Sequence, residues 1–345
     1  MDGGEVLLDR SGLDLSLFDP DGPAAPGCLF GLPHSAEQSR VVVLPVPFEA
    51  TTSYRHGTVG GPQAVLEASA QVDLWDEETG DPWKEGIAMV SPEPWIGTLS
   101  AETSRAVVQL REGGGEALIE SIDAAGARLG AFVHRWTLER LDAGQIPAIL
   151  GGDHSTPLGA MQAVLERDPS VGVLQVDAHA DLRCAYEGMR WSHASIAYNL
   201  LDGPVPPAKL VQVGVRDQCW SERRLALEDP RVEQWTDVGL RDALMDGACW
   251  AQLSTQMVAS LPQKVWISFD IDGLEPALCP GTGTPVPGGL SWHQATALLA
   301  ALGQSGRQIV GFDLCEVSDG QWDAMVGARL LYKLAGWAIS TQKVS

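Results

Sequence analysis

The chain has 345 residues, of which 45% are hydrophobic and 20% charged, so it can bury a large core and shows no compositional sign of disorder beyond its N-terminal segment. Its 45 acidic residues outnumber 23 basic ones, which gives a formal net charge of -22 at pH 7. Such an acidic surface repels phosphate backbones and anionic headgroups, which argues against nucleic-acid and membrane partners. The same charge either attracts a cationic substrate or simply keeps the protein soluble.

The N-terminal sequence and the cysteines indicate a cytoplasmic protein. MDGGEVLLDR lacks the basic and apolar regions of a signal peptide, and the chain contains no run of about 18 apolar residues that could span a membrane. The six cysteines are far apart and form no CxxC pair, which favours reduced thiols over a disulfide framework.

Residues 1–38 are rich in Gly, Pro and Asp and are predicted to form an extended arm without a core of its own. From residue 39, nearly continuous apolar runs alternate with helical stretches, which predicts one parallel sheet with helices on both faces. The predicted strands are VVVLPV (41–46), IPAILG (146–151), VGVLQVD (171–177), LVQVGV (210–215), KVWISFD (264–270) and QIVGFDL (308–314). The predicted helices span 61–71, 115–143, 156–167, 192–201, 241–261, 291–304 and 322–337. No linker interrupts this part, so 39–345 is predicted to be one α/β domain.

Three of the predicted strands end in polar clusters: GGDHS (151–155), DAHAD (177–181) and DID (270–272). In parallel sheets, ligands bind beyond the carboxyl ends of the strands, where the loops converge. Alternate residues of an extended segment point the same way, so the acids and the histidine of DAHAD share a face, as do the two acids of DID. Each cluster alone is more typical of a packed histidine or a helix-capping aspartate. Together, they indicate a common site.

The side chains of this site suit two metal ions. The predicted ligands are His154, Asp177, His179, Asp181, Asp270 and Asp272. Four adjacent carboxylates repel one another, and divalent cations relieve that repulsion. An oxygen-rich set without thiolates favours Mn²⁺, with Ni²⁺, Co²⁺ or Fe²⁺ as alternatives, over structural Zn²⁺. Six ligands exceed what one catalytic ion needs, whereas two ions that share carboxylates and a water molecule would use them all.

The motifs resemble the signatures of the ureohydrolase (arginase/agmatinase) family. The resemblance rests on GGDHS, DAHAD and SFDIDGLEPALCPGTGTPVPGG and extends from about residue 39 to the chain end. TTSYRHGTVGGPQAVLEASAQVDLWD (51–76) and WDAMVGARLLYKL (322–334) are similar to the agmatinase branch. The family implies a three-layer α/β/α fold with a mainly parallel sheet, two Mn²⁺ or Ni²⁺ ions, a homotrimer or homohexamer, and hydrolysis of a guanidinium group to urea and an amine.

The resemblance also implies residue roles. One ion would be held by His154 and Asp181 and the other by His179 and Asp272, with Asp177 and Asp270 as bridges. Glu316 would pair with the substrate guanidinium, which suits a carboxylate that can accept two parallel N–H bonds. His193 would handle protons or substrate, and either Asp181 or His193 would protonate the departing nitrogen. Without the resemblance, His193 is equally well explained as a polar residue in the first turn of a helix.

Four residues near the motifs need separate interpretation. Glu275 stands where the family usually has Asp, and Thr156 follows GGDHS where a β-branched apolar residue is usual. Both differences bear on the geometry around the site rather than on its chemistry. Cys184 and Cys279 complete no thiolate site and are interpreted as packing residues.

The expected substrate is a small guanidine compound. The segments DLRCAYEGMRWSHASIAYNLL and QVDLWDEETGDPWKEGI are similar to a branch that includes guanidine hydrolases, and no asparagine-rich segment of the arginase kind follows DAHAD. Attack by a metal-bridging hydroxide would cleave guanidine, a short guanidino-alkyl compound or a biguanide such as metformin to urea or guanylurea plus ammonia or an amine. Agmatine is the alternative. We expect Trp75, Trp83 and Trp191 either to border the pocket, where they would suit small cations, or to pack at subunit contacts.

Two further classes stay open. Some relatives serve as non-catalytic subunits, and although all six metal positions are filled here, the chain could still be a catalytic subunit that requires a paralogous partner. A metal-storage or ligand-sensing protein would bind metal without releasing urea.

Overall fold

The computed structural model describes residues 15–342. Residues 1–14 of the predicted arm and 343–345 of the predicted domain lie outside the described residues. Within 15–342, eight strands form one sheet in which every adjacent pair is parallel. The strands are β1 Val41–Val46, β2 Ile87–Met89, β3 Ile146–Gly151, β4 Gly172–Val176, β5 Leu210–Val213, β6 Val232–Trp235, β7 Lys264–Asp270 and β8 Gln308–Cys315. Their order across the sheet is β2-β1-β3-β8-β7-β4-β5-β6.

Helices cover both faces of the sheet, so the predicted three-layer α/β/α fold is confirmed. The helices are α1 Gly61–Ser69, α2 Pro94–Arg111, α3 Glu116–Asp142, α4 Leu158–Arg167, α5 Ile196–Leu201, α6 Trp220–Glu228, α7 Asp237–Met245, α8 Trp250–Ala259, α9 Trp292–Gln304 and α10 Gln321–Ser340. One apolar cluster packs α1 and α7–α10 against the sheet, and a second packs α2–α6 against the opposite face. Alternate strand residues enter the two clusters, which explains the uninterrupted apolar strand sequences.

The sequence-based prediction missed or merged several elements. The strands β2 and β6 lie at the two edges of the sheet and are only three and four residues long, so they carry little apolar pattern. The helices α2 and α6 were also missed. The predicted helix 241–261 is two helices, α7 and α8, because the chain turns at Gly247, whose φ of 95° is in the left-handed region that favours glycine.

The described part of the predicted arm packs onto the main body. Leu15, Leu29, Phe30 and Leu32 are buried in the same apolar cluster as α10, and the Phe30 ring meets that of Tyr332 edge-on at a centroid distance of 4.8 Å. This segment therefore adds to the core of the domain. Within residues 15–342, no helix combines the length and the apolar character needed to cross a lipid bilayer.

The sheet order brings distant parts of the chain together at its centre. Strands β3 and β4 are consecutive in the sequence, but β8 and β7 lie between them in the sheet. The carboxyl ends of these four central strands carry all three predicted polar clusters and Glu316. Loops diverge at such a point, which leaves a crevice for a ligand.

Candidate metal and substrate site

One half of the site surrounds His154, which follows β3. Its Nδ1 atom lies 3.0 Å from Asp177 Oδ2, 3.1 Å from Asp181 Oδ2 and 3.3 Å from Asp270 Oδ2. All four side chains are buried. Three of the six predicted ligands therefore lie within 3.3 Å of the Nδ1 atom of a fourth, His154.

The other half surrounds His179, whose side chain is 25% exposed. Its Nδ1 atom lies 3.1 Å from Asp272 Oδ2 and 3.6 Å from Asp177 Oδ1. Asp177 thus presents one oxygen to each histidine, which is the arrangement that a bridging ligand needs. Asp270 differs, because its Oδ1 accepts the backbone N–H of Asp272 at 2.9 Å while Oδ2 faces His154. A bridging role for Asp270 stays a prediction.

The chemistry of this cluster fits metal ions. His154 Nδ1 is buried and has no hydrogen-bond partner, and two groups that could each hold an ion share Asp177. Within residues 15–342, no lysine or arginine forms an ion pair with the four aspartates. Burial raises the pKa of Asp181 to about 7, and burial together with Asp272 raises the pKa of Asp270 well above its usual range. A cation would favour the ionised form of each.

Hydrogen bonds behind His154 fix which nitrogen faces the cluster. Trp266 Nε1 donates to Asp313 Oδ2 at 2.6 Å, and Ser268 Oγ donates to Asp313 Oδ1 at 3.0 Å. Since the Ser268 hydroxyl hydrogen is used in that bond, its oxygen, at 2.9 Å, accepts from His154 Nε2. The Nδ1 atom then keeps a free lone pair, as a metal ligand requires.

Close approach of the strand ends requires glycine at two positions. A Cβ atom on Gly152 would lie 2.1 Å from the Phe48 carbonyl oxygen, and one on Gly273 would lie 2.7 Å from the Asp177 backbone nitrogen. Both distances are too short for any side chain. The glycine in GGDHS therefore lets the His154 segment approach the loop after β1, and the glycine in DIDG lets the Asp272 segment approach Asp177.

His193 lies at the wall of the pocket above the cluster. Thr51 Oγ1 accepts the His193 backbone N–H at 3.0 Å and also lies 3.0 Å from the ring Nδ1. The hydroxyl hydrogen can therefore point to Nδ1, which leaves the ring proton on Nε2. Burial lowers the pKa of His193 to about 4 against the opposing charge of Asp153, so the ring is neutral at physiological pH.

Glu316 is buried directly after β8. Its Oε1 accepts the His154 backbone N–H at 3.0 Å, whereas Oε2 is buried without a hydrogen-bond partner. Burial and the nearby charges of Asp270 and Asp153 raise its pKa well above the usual range. A buried acceptor without a donor is costly, which indicates that a ligand N–H belongs there.

Backbone strain marks two of the predicted catalytic residues. Asp181 and Glu316 adopt positive φ angles of 53° and 61°, a region that non-glycine residues seldom occupy. The carbonyl of Asp181 accepts the Tyr198 N–H at 3.1 Å, and that of Glu316 accepts the Thr282 hydroxyl at 2.9 Å. These bonds hold a conformation that costs on the order of 1 kcal/mol, as is typical of functional sites.

A pocket of about 360 Å³ opens over His179, Asp181 and His193. Its wall includes Tyr54, Tyr186, Arg183, Glu222, Asp217, Gln218 and the segment 284–286. Arg183 is partly neutralised, because its Nε lies 3.6 Å from Glu222 Oε2 and its guanidinium lies over the Tyr186 ring. The Asp217 side chain is exposed and has no ion-pair partner within the described chain. The pocket therefore offers an unpaired negative charge beyond the cluster.

None of the three tryptophans borders this pocket, so that alternative was wrong, whereas their packing at subunit contacts stays a prediction. The wall of this pocket contains two tyrosines and no tryptophan: Trp75 is exposed elsewhere, Trp83 is buried against Phe18, and Trp191 lines a separate cavity beside α3. Cys279 is buried as expected, but Cys184 is exposed and is not a packing residue.

Asp217 and Tyr54 were missed as pocket residues. Asp217 follows β5, so the strand-end reasoning that found the other clusters would also have found it. Tyr54 lies in a loop, which the same reasoning does not reach. That loop is held by the Glu49 carboxylate, which accepts the N–H groups of Gly57 and Val59, and by Arg111, which donates to the carbonyls of Thr51 and Thr52.

Comparisons with known proteins agree on one family. The model of the arginase family matches residues 39–336. An N(1)-aminopropylagmatine ureohydrolase of Thermus thermophilus is 35% identical over 303 residues, which cover 87% of this chain and 90% of that protein. The mitochondrial agmatinase of Gallus gallus is 30% identical, over 87% of this chain and 81% of its own. Among solved structures, proclavaminate amidinohydrolase from Streptomyces clavuligerus superposes with a TM-score of 0.70 and 25% identity, covering 91% of this chain and 97% of that one.

Proposed function

Because the chain belongs to the arginase family and is therefore a ureohydrolase, we propose that it hydrolyses the guanidinium group of a small cationic guanidino compound of the agmatine class at a centre of two divalent metal ions. The observation that carries this proposal is the position of Asp177. Its two carboxylate oxygens lie 3.0 Å and 3.6 Å from the Nδ1 atoms of two different histidines, as a ligand shared by two ions would.

The proposed metal ligands are those predicted from the sequence. His154 and Asp181 would hold one ion, His179 and Asp272 the other, with Asp177 shared and Asp270 beside them. Imidazole nitrogens and carboxylate oxygens without thiolate suit Mn²⁺ or Ni²⁺. When bound, two such ions polarise the substrate and supply an activated water molecule as the nucleophile.

Glu316 would hold the electrophile. Its Oε1 is fixed by the His154 N–H, and its free Oε2 can accept an N–H of the guanidinium. The positive substrate would favour the ionised carboxylate, whose pKa burial raises in the free protein. The planar group is thereby held in one orientation, which lowers the entropic cost of attack.

Proton transfer falls to Asp181 and His193. An amine leaves readily only when protonated, so a group at the cluster must pass a proton to the departing nitrogen. Asp181 lies in the cluster and lines the pocket, and it can accept the proton that the attacking water loses. The neutral His193 ring, with its proton on Nε2, can donate a hydrogen bond to the substrate or leaving group.

The pocket favours a guanidino-alkyl cation over guanidine itself. A volume of about 360 Å³ is within the range of pockets that enclose drug-sized ligands and far exceeds the four heavy atoms of guanidine. The unpaired Asp217 can bind a second positive charge. The relatives named above act on aminopropylagmatine and agmatine, which agrees with this ranking.

An assay of urea and guanylurea release by the metal-loaded protein tests the proposal. The panel is agmatine, N(1)-aminopropylagmatine, guanidine, 4-guanidinobutyrate, arginine and a biguanide, each with Mn²⁺ or Ni²⁺. We expect the dications to have the highest kcat/KM. We also expect Asp217→Asn to raise KM for agmatine about tenfold or more and to leave KM for guanidine unchanged, because only agmatine carries the distal charge.

Three results would contradict this assignment. Guanidine or a biguanide as the best substrate would refute the role of Asp217, and 4-guanidinobutyrate as the best would assign the distal subsite to Arg183. Metal binding without release of urea or guanylurea from any compound would favour a binding or storage protein. Light scattering of the same preparation, with and without a co-expressed paralogue, tests the predicted homotrimer or homohexamer against a hetero-oligomer.

A further inference from the structure

Three glutamines form a continuous hydrogen-bonded row across one side of the sheet. Gln175 on β4 pairs in register with Gln212 on β5, which pairs in register with Gln234 on β6. Gln234 Nε2 donates to Gln212 Oε1 at 2.9 Å, and Gln212 Nε2 donates to Gln175 Oε1 at 2.8 Å. We call Gln175, Gln212 and Gln234 the glutamine row.

The hydrogen-bond partners at the two ends of the glutamine row determine how its amide groups are oriented. At the outer end, Arg223 Nη1 on α6 donates to Gln234 Oε1 at 2.8 Å. At the inner end, Gln175 Nε2 donates to Asp177 Oδ2 at 2.8 Å. Arginine can only donate and an ionised carboxylate can only accept, so each amide must direct its NH₂ group toward Asp177.

The depth at which the glutamine row is buried indicates that these side chains do more than fill the core. Gln175 is 2% exposed and Gln212 is 0% exposed, at positions where apolar side chains would avoid the cost of burying amides. Gln212 Nε2 also donates to the Ala180 carbonyl at 2.6 Å, within the segment that carries the predicted ligands. A buried network in which each amide nitrogen and oxygen of the row has at least one partner specifies one geometry.

The geometry points to the glutamine row as the positioning device of the shared metal ligand, Asp177. This inference rests on the proposed two-metal centre. Gln175 holds Asp177 Oδ2, and the His179 backbone N–H holds Oδ1 at 2.7 Å. Each oxygen therefore has one fixed donor and keeps a lone pair for one half of the site. Without Gln175, only Oδ1 is held, and the carboxylate can rotate away from the His154 half.

Metal titration tests the inference independently of turnover. Isothermal titration with Mn²⁺ would compare wild type with Gln175→Met and Gln234→Met, which keep the length of the side chain but not its hydrogen bonds. Gln308→Met is the matched control, because Gln308 bonds to Gln342 at the amino end of β8, away from the site. We expect Gln175→Met to weaken Mn²⁺ binding about 10- to 100-fold, which is typical when a residue that hydrogen-bonds to a metal ligand is replaced. Gln234→Met should weaken binding less, and the control Gln308→Met should leave it unchanged.

Electron paramagnetic resonance of the Mn²⁺-loaded proteins gives a second readout. Two Mn²⁺ ions held on either side of Asp177 would give a spin-coupled spectrum, and we expect Gln175→Met to shift it toward that of isolated Mn²⁺. Circular dichroism of the metal-free variants checks the fold, and Gln234→Met, at the half-buried outer end, keeps the test open if Gln175→Met does not fold.

The outcomes separate this inference from the proposed function. Wild-type affinity and spectrum in Gln175→Met would overturn the positioning role while the metal centre stands. If Gln234→Met and the control Gln308→Met had the same Mn²⁺ affinity, the effect would be limited to Gln175. The role of the whole row would then be overturned. A wild-type protein that binds no pair of ions would overturn the metal centre and this inference with it.

Discussion

Replacing Asp177 by asparagine is the most direct test of the shared ligand. The amide has the shape of the carboxylate but lacks the charge and replaces one acceptor by a donor. At the Oδ2 position it would meet the donor Gln175 Nε2, at 2.8 Å, and at the Oδ1 position the His179 N–H, at 2.7 Å. The new amide in either orientation therefore places a donor against a donor and leaves one of them unsatisfied.

These contacts give the magnitude. An unsatisfied buried donor costs about 1–3 kcal/mol. Removing one partner from a buried pair of opposite charges costs about 3–5 kcal/mol. In Asp177→Asn the lost interaction would be the attraction between the carboxylate and the two proposed ions. Every 1.4 kcal/mol is a factor of ten in affinity, so Asp177→Asn should weaken metal binding by about two to four orders of magnitude. Without metal, the lost repulsion among the four aspartates offsets the lost hydrogen bond, so the metal-free variant should fold.

Calorimetric titration with Mn²⁺ and thermal unfolding with and without the metal measure these effects. Wild type should gain stability with added Mn²⁺, and Asp177→Asn should gain little. The control is Asp168→Asn, which removes a carboxylate bound to Lys264 at 2.7 Å near the amino end of β7 and should change metal binding little. If Asp177→Asn bound two ions with wild-type affinity, Asp177 would not be shared and the proposed centre would be wrong.

Two further predictions concern the neighbours of the cluster. A Cβ atom on Gly283 would lie 3.3 Å from Glu316 Oε2, so Gly283→Ala should crowd the proposed guanidinium site. We expect this variant to lower kcat/KM about tenfold with little change in unfolding temperature. Kinetics equal to those of wild type would show that the substrate does not contact Glu316. His193 has a pKa of about 4 in the folded protein, below its usual 6.5, so the unfolded chain binds more protons between those values. Its contribution to stability therefore falls as the pH decreases from about 6.5 to 4, and His193→Gln should flatten this part of the urea-midpoint profile of the metal-free protein; parallel profiles would contradict the lowered pKa.

The cluster could be predicted because its geometry is nearly local. Alternate residues after a buried strand share a side, and parallel strands end at one edge, so Asp177, His179 and Asp272 were expected at the same edge; the pairing of β4 with β7 then brings them into contact. The central strands were predictable for a similar reason, since burial on both faces gives uninterrupted apolar sequences.

What could not be predicted depends on register and on edges. The pairing of Gln212 with Gln234 requires β6, a four-residue edge strand with the sequence VEQW, in which polar residues hide the pattern. The α6 helix, WSERRLALE, carries four charges in nine residues and lacks a broad apolar stripe. The unpaired state of Asp217 depends on where every cation lies in space, which no linear pattern encodes.

The order of strands in the sheet has a consequence for biosynthesis. Strands β3 and β4 are made one after the other, yet they are separated in the finished sheet by β7 and β8, which are synthesised last. The His154 backbone is joined to Glu316 across 162 positions of the chain. A nascent chain that ends before β7 thus lacks Asp270 and Asp272. It also lacks the two strands that lie between β3 and β4. The proposed metal site is therefore complete only after these two strands have joined the sheet, which places its formation late in folding.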